Sequence, residues 1–491
     1  MKFKPILIVI IFFAQQASAQ VFDTVAYYKK YTPAQLHQDI DVLLKKFESI
    51  HPDYFGQTPR SIVIKRYERL KARINKPLTR IDFMNMFAPV AFGVIRDGHN
   101  YVNAPEDDLQ QYIGKGGTFF PLPVTIYHKK LFVNSIRAEI PYNSEIKSIN
   151  GIPAPEAVNT ILSSYNPEND SYKEGFLSGD FSKLYWFNYG IIKQFTIRYV
   201  DSINTGVKQI AIAGRSLRQI DKLRGKPAQT IKNYLIRYPN YAFYELAELN
   251  VGVLEYKACD DLEHFRPFCD SMFARIKKDR LKNIVIDVRG NVGGTTRLND
   301  ILFEFLTDKP IAQFAEVDIK VSKEAKHDLI QANRKYAGWF KWYNYLYYPI
   351  YIRQDPKRKL LLTASNGAIV KQIIEPTKPQ TNELMFKGNV YLLTDCGTYS
   401  SATIFAAAFK CYHLGTIVGQ ETGEPTCFTG DWVSVVLPNT KLECAISDRR
   451  FILPCGKCDG HGVLPDYVVN DIDDAMEVAK KLIVKNKASS Y

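Results

Sequence analysis

The sequence predicts an α/β fold: a mainly parallel sheet across residues 245–485, preceded by a helical N-terminal region and a small β-rich domain. Three patterns lead to this prediction. Apolar residues recur at helical spacing before residue 105, short strand patterns separated by turn residues fill 115–210, and strand and helix patterns alternate beyond 245. With 491 residues, of which 46% are hydrophobic and 23% charged, the chain is long enough for two or three folded domains.

Residues 1–19 have the pattern of a secretory signal peptide. Lys2 and Lys4 precede an apolar run over 6–13, and residues 17–19 read Ala-Ser-Ala, which suits a cleavage site. The apolar run is too short for a permanent membrane span. We therefore expect an exported protein, periplasmic or extracellular, that starts near Gln20 and has no permanent membrane span.

The formal net charge of +13 is the main compositional bias. Loss of the two signal-peptide lysines lowers it to about +11. Seven basic residues fall between 215 and 237 at roughly helical spacing, which is more typical of a solvated helix face than of a binding site. Because charge alone is not a nucleic-acid signature, we expect no nucleic-acid partner.

All eight cysteines lie between residues 259 and 458. In an exported protein this permits disulfides, although the pairing cannot be read from a sequence. Cys455 and Cys458 form a single C-x-x-C pair, and Cys427 and Cys444 do not supply the second pair that zinc requires. We expect structural disulfides or inert thiols, no metal and no cofactor; a metal site or redox chemistry is the less favoured alternative.

The predicted helical region covers residues 20–105. Its apolar positions at helical spacing include Leu36, Ile40, Leu43 and Phe47. It ends in a glycine-containing turn, Asp97-Gly98-His99, with the histidine at the tip. A turn histidine is usually only a solvated side chain, so His99 becomes a candidate base only in combination with other residues.

The predicted β-rich domain covers residues 115–210. Short strand patterns occur at 124–127, 130–133 and 145–149, and a helix begins near Pro153. The spacing of Pro141 and of Asn150-Gly151 resembles that of PDZ domains. The alternative is an unrelated small β-rich insert.

The predicted core is interrupted at about 318–383. This insert holds nine aromatic residues between positions 336 and 351. They could form a platform for an extended or apolar substrate, or they could pack the insert against the core. The second interpretation is favoured.

A glycine-containing turn and a pair of serines are the features of the sequence that suggest catalysis. The turn after the strand at 284–288 contains Gly293 and Gly294, whose N–H groups can approach a ligand and stabilise an oxyanion. About one hundred residues later, Ser400 and Ser401 stand where a strand gives way to a small-residue helix. A serine at a helix start is usually only an N-cap. Together, the two segments indicate an oxyanion turn facing a nucleophilic serine.

These segments resemble the C-terminal processing, or tail-specific, serine peptidases. The resemblance rests on Asp287-Val-Arg-Gly-Asn-Val-Gly-Gly294, on Tyr399-Ser-Ser-Ala402 followed by Ile404-Phe-Ala-Ala-Ala408, and on Gly462-Val-Leu-Pro-Asp466. It covers roughly residues 245–480. It implies a crotonase/ClpP-like peptidase core, shared with the tricorn protease core and the retinoid-binding proteins, and a PDZ-like domain before it. The implied activity is that of an exported serine endopeptidase whose partners are protein or peptide substrates, with tail-directed cleavage as one form.

The branches of this superfamily differ in their catalytic residues. The processing-peptidase branch uses a Ser–Lys dyad, but Pro425 stands at the lysine position here. The tricorn-like branch takes a histidine from an Asp-Gly-His turn and an acid three residues before the Gly-Val-x-Pro-Asp loop. His99 and Asp459 match these positions, with aspartate where that branch usually has glutamate. The resemblance therefore implies Ser400 as nucleophile, His99 as base and Asp459 as the acid that orients it.

The resemblance also implies the remaining site residues. Gly293, Gly294 and Ser401 would supply the oxyanion hole. The PDZ-like domain would recruit protein tails by strand addition and carboxylate capture, with the loop of Gly116, Gly117 and Phe119 as a weak candidate site. A catalytically silent ligand-binding protein on the same fold, comparable to the retinoid-binding proteins, is the main alternative. A lipid or glycan hydrolase is the other.

Overall fold

The computed structural model describes residues 29–202, 206–225, 232–327, 329, 356–470 and 475–488. The predicted signal peptide and the nine clustered aromatic residues of the insert lie outside these ranges. No helix in the described part of the chain is long and apolar enough to cross a membrane.

The N-terminal region is helical. Its α1 helix begins at a capping box, in which the Thr32 side chain accepts from the Gln35 N–H and the Gln35 side chain accepts from the Thr32 N–H. The helices are α1 (Pro33–Ile50), α2 (Arg60–Arg73), α3 (Arg80–Ala91) and α4 (Glu106–Gly114); the strands are β1 (Lys30–Tyr31), β2 (Leu78–Thr79) and β3 (Tyr101–Val102). The turn with His99 lies between α3 and β3.

The β-rich domain is an antiparallel sheet of six strands with helices between them. The strands are β4 (Val124–Tyr127), β5 (Lys130–Val133), β6 (Glu145–Ile149), β7 (Ile152–Pro153), β8 (Gln194–Val200) and β9 (Val207–Ala213). The helices are α5 (Ala154–Leu162), α6 (Asp170–Ser178), α7 (Phe181–Tyr189) and, after the sheet, α8 (Leu217–Leu223). The PDZ-like assignment stays a prediction.

The predicted carboxylate loop does not form. The N–H groups of Gly116, Gly117 and Phe119 donate to the carbonyls of Ile113, Tyr112 and Arg215, and the Phe119 ring is buried. No amide of this trio is therefore free to bind a terminal carboxylate.

The outer edge of β4 is also covered. There, the Ile126 N–H donates to Ser178 Oγ at 2.7 Å and the His128 N–H donates to Glu174 Oε2 at 2.7 Å. Since α6 carries both acceptors, this edge is closed to an added strand.

The core contains a seven-stranded sheet, in the order β10-β11-β12-β13-β16-β17-β22. Its strands are β10 (Tyr234–Arg237), β11 (Tyr241–Leu246), β12 (Val251–Tyr256), β13 (Asn283–Asp287), β16 (Asn389–Thr394), β17 (Thr416–Gly419) and β22 (Tyr467–Val468). From β12 onward neighbouring strands run parallel. The central strand β13 is buried on both faces because α helices cover the sheet. These helices are α9 (Leu262–Lys278), α10 (Arg297–Glu304), α12 (Ser401–Cys411) and α13 (Ala475–Ala488); a 3-10 helix occupies Ala247–Leu249.

Two smaller sheets complete the core and attach the N-terminal region to it. The first, β15-β14-β21-β18, contains β14 (Glu316–Lys320), β15 (Ile369–Ile373), β18 (Cys427–Gly430) and β21 (Arg449–Ile452), with α11 (Pro356–Thr363) before β15. The second joins β19 (Val433–Val436) and β20 (Glu443–Ile446) to β3. Because β3 pairs with β20, the chain leaving His99 is held against the core.

Two disulfides lie at one end of the core: Cys411–Cys455 and Cys427–Cys458. The other cysteines of the chain, Cys259, Cys269, Cys396 and Cys444, are free. Within the described ranges no group of three or more histidine, cysteine, aspartate or glutamate side chains is placed to hold a metal ion.

Candidate active site

Ser400 stands at the start of α12 in an unusual backbone conformation. Its φ of 49° and ψ of −124° are rare for a residue with a Cβ atom, and its side chain makes no capping bond to the helix. The hydroxyl is therefore not used as an N-cap, which was the simpler interpretation of this serine. Strain of this kind is typical of functional positions.

The structure brings His99 to Ser400 across 301 sequence positions. His99 Nε2 lies 3.3 Å from Ser400 Oγ, within the reach of a hydrogen bond between a base and a nucleophile. Asp97 holds the histidine turn: its Oδ1 accepts from the His99 N–H at 2.7 Å, and its Oδ2 accepts from Asn100 Nδ2 at 2.7 Å. Asp97 Oδ2 also contacts His51 Nε2 at 3.1 Å.

The carboxyl group beside His99 Nδ1 belongs to Glu424, a residue that the sequence analysis missed. Glu424 Oε1 lies 3.4 Å from His99 Nδ1. The side chain is fully buried, and the Ser400 N–H and the Tyr399 hydroxyl are its other polar neighbours. Catalytic hydrogen bonds are often long in unliganded sites and shorten when substrate binds, so Glu424 is placed to accept from His99 Nδ1–H.

The structure does not bring Asp459 to His99, so this assignment is corrected. Asp459 is exposed, and its Oδ1 accepts from the His461 N–H at 3.0 Å within its own loop. The neighbouring Cys458 is tied to Cys427 by a disulfide. The short side chain thus folds back on a loop held at the surface, and Glu424 occupies the position beside the imidazole.

The sequence contained one usable signal for Glu424. Strands β16 and β17 are adjacent and parallel, so the turns that follow them lie at the same edge of the sheet. Ser400 follows β16, and Glu424 follows β17. An acid in the second turn was therefore a candidate partner for the serine in the first.

The glycine turn lies against Ser400, but only part of the predicted oxyanion hole is available. The Gly293 N–H donates to Asn291 Oδ1 at 2.9 Å and is not free, which corrects its role as a donor. A Cβ atom on Gly293 would lie 2.7 Å from Ser400 Cβ, so this glycine permits the close approach instead. The amides of Gly294 and Ser401 have no hydrogen-bond acceptor in the described part of the chain.

Ser401 ties the two segments together. Its Oγ donates to the carbonyl of Gly294 at 2.5 Å. This bond fixes the glycine turn against the first turn of α12. It also occupies the Ser401 hydroxyl, which leaves Ser400 as the hydroxyl that faces His99.

Burial shifts the ionisation of the site. It lowers the pKa of His99 below the ordinary value, against the nearby charge of Asp97. It raises the pKa of Glu424 well above the ordinary value, and the charges of Glu168 and Asp97 add to this effect. Burial alone would raise the pKa of Asp97, but the hydrogen bond and the charge of His51 lower it. A neutral imidazole, the form that acts as a base, is favoured.

Aromatic rings surround the His99 imidazole. The Tyr399, Phe428 and Trp432 ring centres lie 5.5, 5.9 and 6.4 Å from its centre, all nearly parallel to it. They restrict the imidazole orientation and shield it from water. Trp432 is 48% exposed and forms the outer member of this group.

Comparisons with known proteins find a matching family and similar folds. Residues 250–469 match the family model described as Peptidase family S41. A crystal structure of a CPAF mutant is similar, with a TM-score of 0.64 at 12% identity, covering 92% of this chain and 97% of that one. Mature CPAF has a TM-score of 0.59 at 13% identity, covering 92% and 97%. At these identities the structures show the fold alone.

A structure of mature CPAF complexed with lactacystin is also similar, with a TM-score of 0.59 at 13% identity over 93% of this chain and 98% of that one. No curated protein sequence matches the chain. Together with the family match, these structures confirm the predicted α/β peptidase fold class.

Proposed function

We propose that the chain is a member of peptidase family S41, whose family model matches residues 250–469, and that it is an endopeptidase in which Ser400 is the nucleophile, His99 the base and Glu424 the acid that orients the base. In this proposal the protein is a serine-type peptidase that acts on protein substrates. The observation that carries the proposal is the 3.3 Å approach of His99 Nε2 to Ser400 Oγ, with Glu424 behind the imidazole.

The proposed reaction follows from these positions. As Ser400 Oγ attacks the carbonyl carbon of the scissile peptide bond, His99 Nε2 takes the hydroxyl proton. The amides of Gly294 and Ser401 donate to the oxyanion; losing one such donor typically costs roughly 3–4 kcal/mol. The imidazolium then gives its proton to the leaving amine. Water, activated by His99, hydrolyses the acyl-enzyme and regenerates the Ser400 hydroxyl.

Glu424 contributes most when the imidazole becomes charged. Burial disfavours the charged forms of both His99 and Glu424, so the reactive form of the site, a neutral imidazole beside an ionised Glu424, arises once the Glu424 proton has left to solvent. When His99 gains the serine proton, an ionised Glu424 carboxylate beside Nδ1 stabilises the imidazolium. Because this interaction is stronger in the transition state than in the ground state, it accelerates the reaction rather than substrate binding.

The same geometry weighs against the alternative of a silent binding protein. A ligand-binding protein needs neither a serine held at a φ of 49° nor a histidine aimed at its hydroxyl. The tail-directed form of the activity has less support, because the β4 edge is covered by α6 side chains. We therefore propose endoproteolysis of unfolded or flexible segments, without assigning tail recognition to that edge.

We also propose that the protein is exported. The disulfides Cys411–Cys455 and Cys427–Cys458 support this proposal, because structural disulfides persist in oxidising compartments. Fractionation of cells that express the full chain tests it. Recovery of the protein only from the cytosol, with reduced cysteines, would contradict it.

Reaction with a fluorophosphonate probe tests the catalytic assignment. We expect a single adduct on the Ser400 peptide by mass spectrometry, abolished in Ser400→Ala and strongly slowed in His99→Ala. Ser434→Ala is the matched control, since Ser434 is an exposed serine on β19. An adduct on another serine, or a folded wild-type protein that never reacts, would overturn the proposal.

A further inference from the structure

A third carboxyl group, that of the partly buried Glu168, lies between the two halves of the site. It belongs to the loop between α5 and α6 of the β-rich domain. Its Oε2 accepts from the Tyr399 hydroxyl at 2.6 Å and from the Gly98 N–H at 3.3 Å. Tyr399 directly precedes Ser400, and Gly98 directly precedes His99. Glu168 Oε2 therefore connects the turn that carries His99 to Tyr399, the residue directly before Ser400.

Residues on both sides of Glu168 reinforce this connection. The Tyr165 hydroxyl donates to the Gly98 carbonyl at 3.0 Å, and the Asp97 N–H donates to the Asn166 carbonyl at 2.8 Å. On the other side, the Tyr172 ring stacks on the Tyr399 ring at 4.0 Å and 6°. The loop and the first turn of α6 thus contact the histidine turn and the nucleophile turn at once.

The histidine turn and the turn before Ser400 are in direct contact where Gly98 meets Tyr399. A Cβ atom on Gly98 would lie 2.2 Å from the Tyr399 hydroxyl and 2.9 Å from the Tyr165 hydroxyl. Even one added carbon would push the histidine turn away from Tyr399. A displacement of either turn is therefore passed to the other, and a misplacement of about 1 Å can slow a reaction about a hundredfold.

Placing the Glu168 carboxyl group at this position is unfavourable for the stability of the folded protein. Burial raises its pKa to about 8, and the nearby charge of Asp97 adds to the shift. Its second oxygen, Oε1, is buried without a hydrogen-bond partner among the described residues. A buried acid often contributes less to stability than a neutral side chain of similar size would, so stability alone does not account for this carboxyl group.

We propose that Glu168 is a positioning residue, which sets the distance between His99 and Ser400 by holding Gly98 and Tyr399 on one oxygen atom. The β-rich domain is then a structural part of the active site. This inference rests on the proposed function, because Glu168 acts through His99 and Ser400. It touches neither the reacting atoms nor, in this arrangement, a substrate.

The test compares Glu168→Ala, Tyr399→Phe and the double variant in peptide hydrolysis and in fluorophosphonate reaction. We expect each single variant to lower kcat by about tenfold to a hundredfold with KM changed less than twofold. The double variant should be no slower than the slower single variant, because both remove the same connection. The control is Glu156→Ala, an exposed glutamate of α5 in the same domain, which should match wild type.

Rescue separates positioning from charge and from general destabilisation. In Glu168→Gln the amide oxygen can still accept from Tyr399 and Gly98, so we expect kcat within about threefold of wild type. A Glu168→Ala kcat equal to that of the Glu156→Ala control, or additive effects in the double variant, would overturn the inference. If Glu168→Ala does not fold, Tyr399→Phe decides the question: a wild-type kcat in that variant overturns it.

The outcome also separates this inference from the proposed function. If wild-type protein forms no Ser400 adduct, the proposed function fails and the positioning role fails with it. If wild type forms the adduct and Glu168→Ala forms it at the same rate, the positioning role alone is refuted.

Discussion

Glu424→Gln tests the choice of catalytic acid. The substitution keeps the size of the side chain but removes the charge that would face His99 Nδ1. The magnitude follows from the 3.4 Å separation: with an effective dielectric constant near 20, opposite unit charges at this distance attract by about 5 kcal/mol. Since each 1.36 kcal/mol corresponds to tenfold in rate, this attraction sets an upper limit of roughly 1,000- to 10,000-fold on the fall in kcat, and the free energy needed to ionise the buried Glu424 reduces it.

The assay is steady-state hydrolysis of an internally quenched peptide, with Asp459→Asn as the matched variant. Asp459 is exposed and bonded within its own loop, so Asp459→Asn should keep kcat within about twofold of wild type, as is usual for surface substitutions. The reasoning is refuted if Glu424→Gln loses less than tenfold, or if Asp459→Asn loses more than Glu424→Gln.

Three further predictions follow from the geometry. Gly293→Ala should abolish most activity, because the new Cβ would lie 2.7 Å from Ser400 Cβ at a backbone φ of 98°. Replacing both Cys427 and Cys458 by serine should lower the free energy of unfolding by about 3–4 kcal/mol, from the loop entropy of a 31-residue separation. Glu168→Gln should change how the free energy of unfolding depends on pH. The pKa of Glu168 is about 8 in the folded state against an ordinary 4.5, so the wild-type protein loses free energy of unfolding as the pH rises between these values. The variant has no titrating group at this position and should not show this loss.

Each prediction has a direct measurement. Fluorophosphonate reaction rates report on Gly293→Ala, and a rate near wild type would contradict the close approach. Urea unfolding reports on the cysteine pair, and an unchanged midpoint would mean that the loop entropy is offset. Urea unfolding of Glu168→Gln and of wild type at pH 5 and pH 8.5 tests the predicted pH dependence. If the two proteins differ in free energy of unfolding by the same amount at both pH values, the raised pKa of Glu168 is contradicted.

Local patterns, read together with the family resemblance, predicted Ser400 and His99 as the proposed nucleophile and base. The buried strand before the glycine turn shows in its β-branched residues, and the serine turn before α12 shows in the change from apolar strand to small-residue helix. His99 follows from a short turn motif. Each of these features depends on residues that are close together in the sequence, so their placement could be inferred without the fold.

The identity of the proposed third catalytic residue depends on contacts that are distant in the sequence. Asp459 fits a spacing rule, but its loop is held at the surface next to the disulfide of Cys458, and the chain path there cannot be read from spacing. Glu424 lies in a turn with no motif of its own, and only the adjacency of β16 and β17 brings it to Ser400. The length of the side chain and the order of the strands in the sheet therefore determine which acidic residue lies beside His99.

The assignment of the Gly293 N–H to the oxyanion hole was wrong, and the sequence contained a signal against it. Asparagine side chains often accept the N–H two residues later, and Asn291 does so with Gly293. The Asn-Val-Gly pattern was therefore a local signal that this N–H is occupied. Glu168 offered no such signal, because its contacts with Gly98 and Tyr399 span 70 and 231 positions.

Cleavage of an unfolded protein tests the central claim most directly. Reduced and alkylated casein is incubated with wild type and with Ser400→Ala, and new N-termini are mapped by mass spectrometry. The account predicts internal cleavage by wild type and none by Ser400→Ala at equal concentration and equal thermal stability. Equal cleavage by both proteins would contradict Ser400 as the nucleophile, and no cleavage by a wild-type protein that forms the Ser400 adduct would contradict the proposed endopeptidase activity.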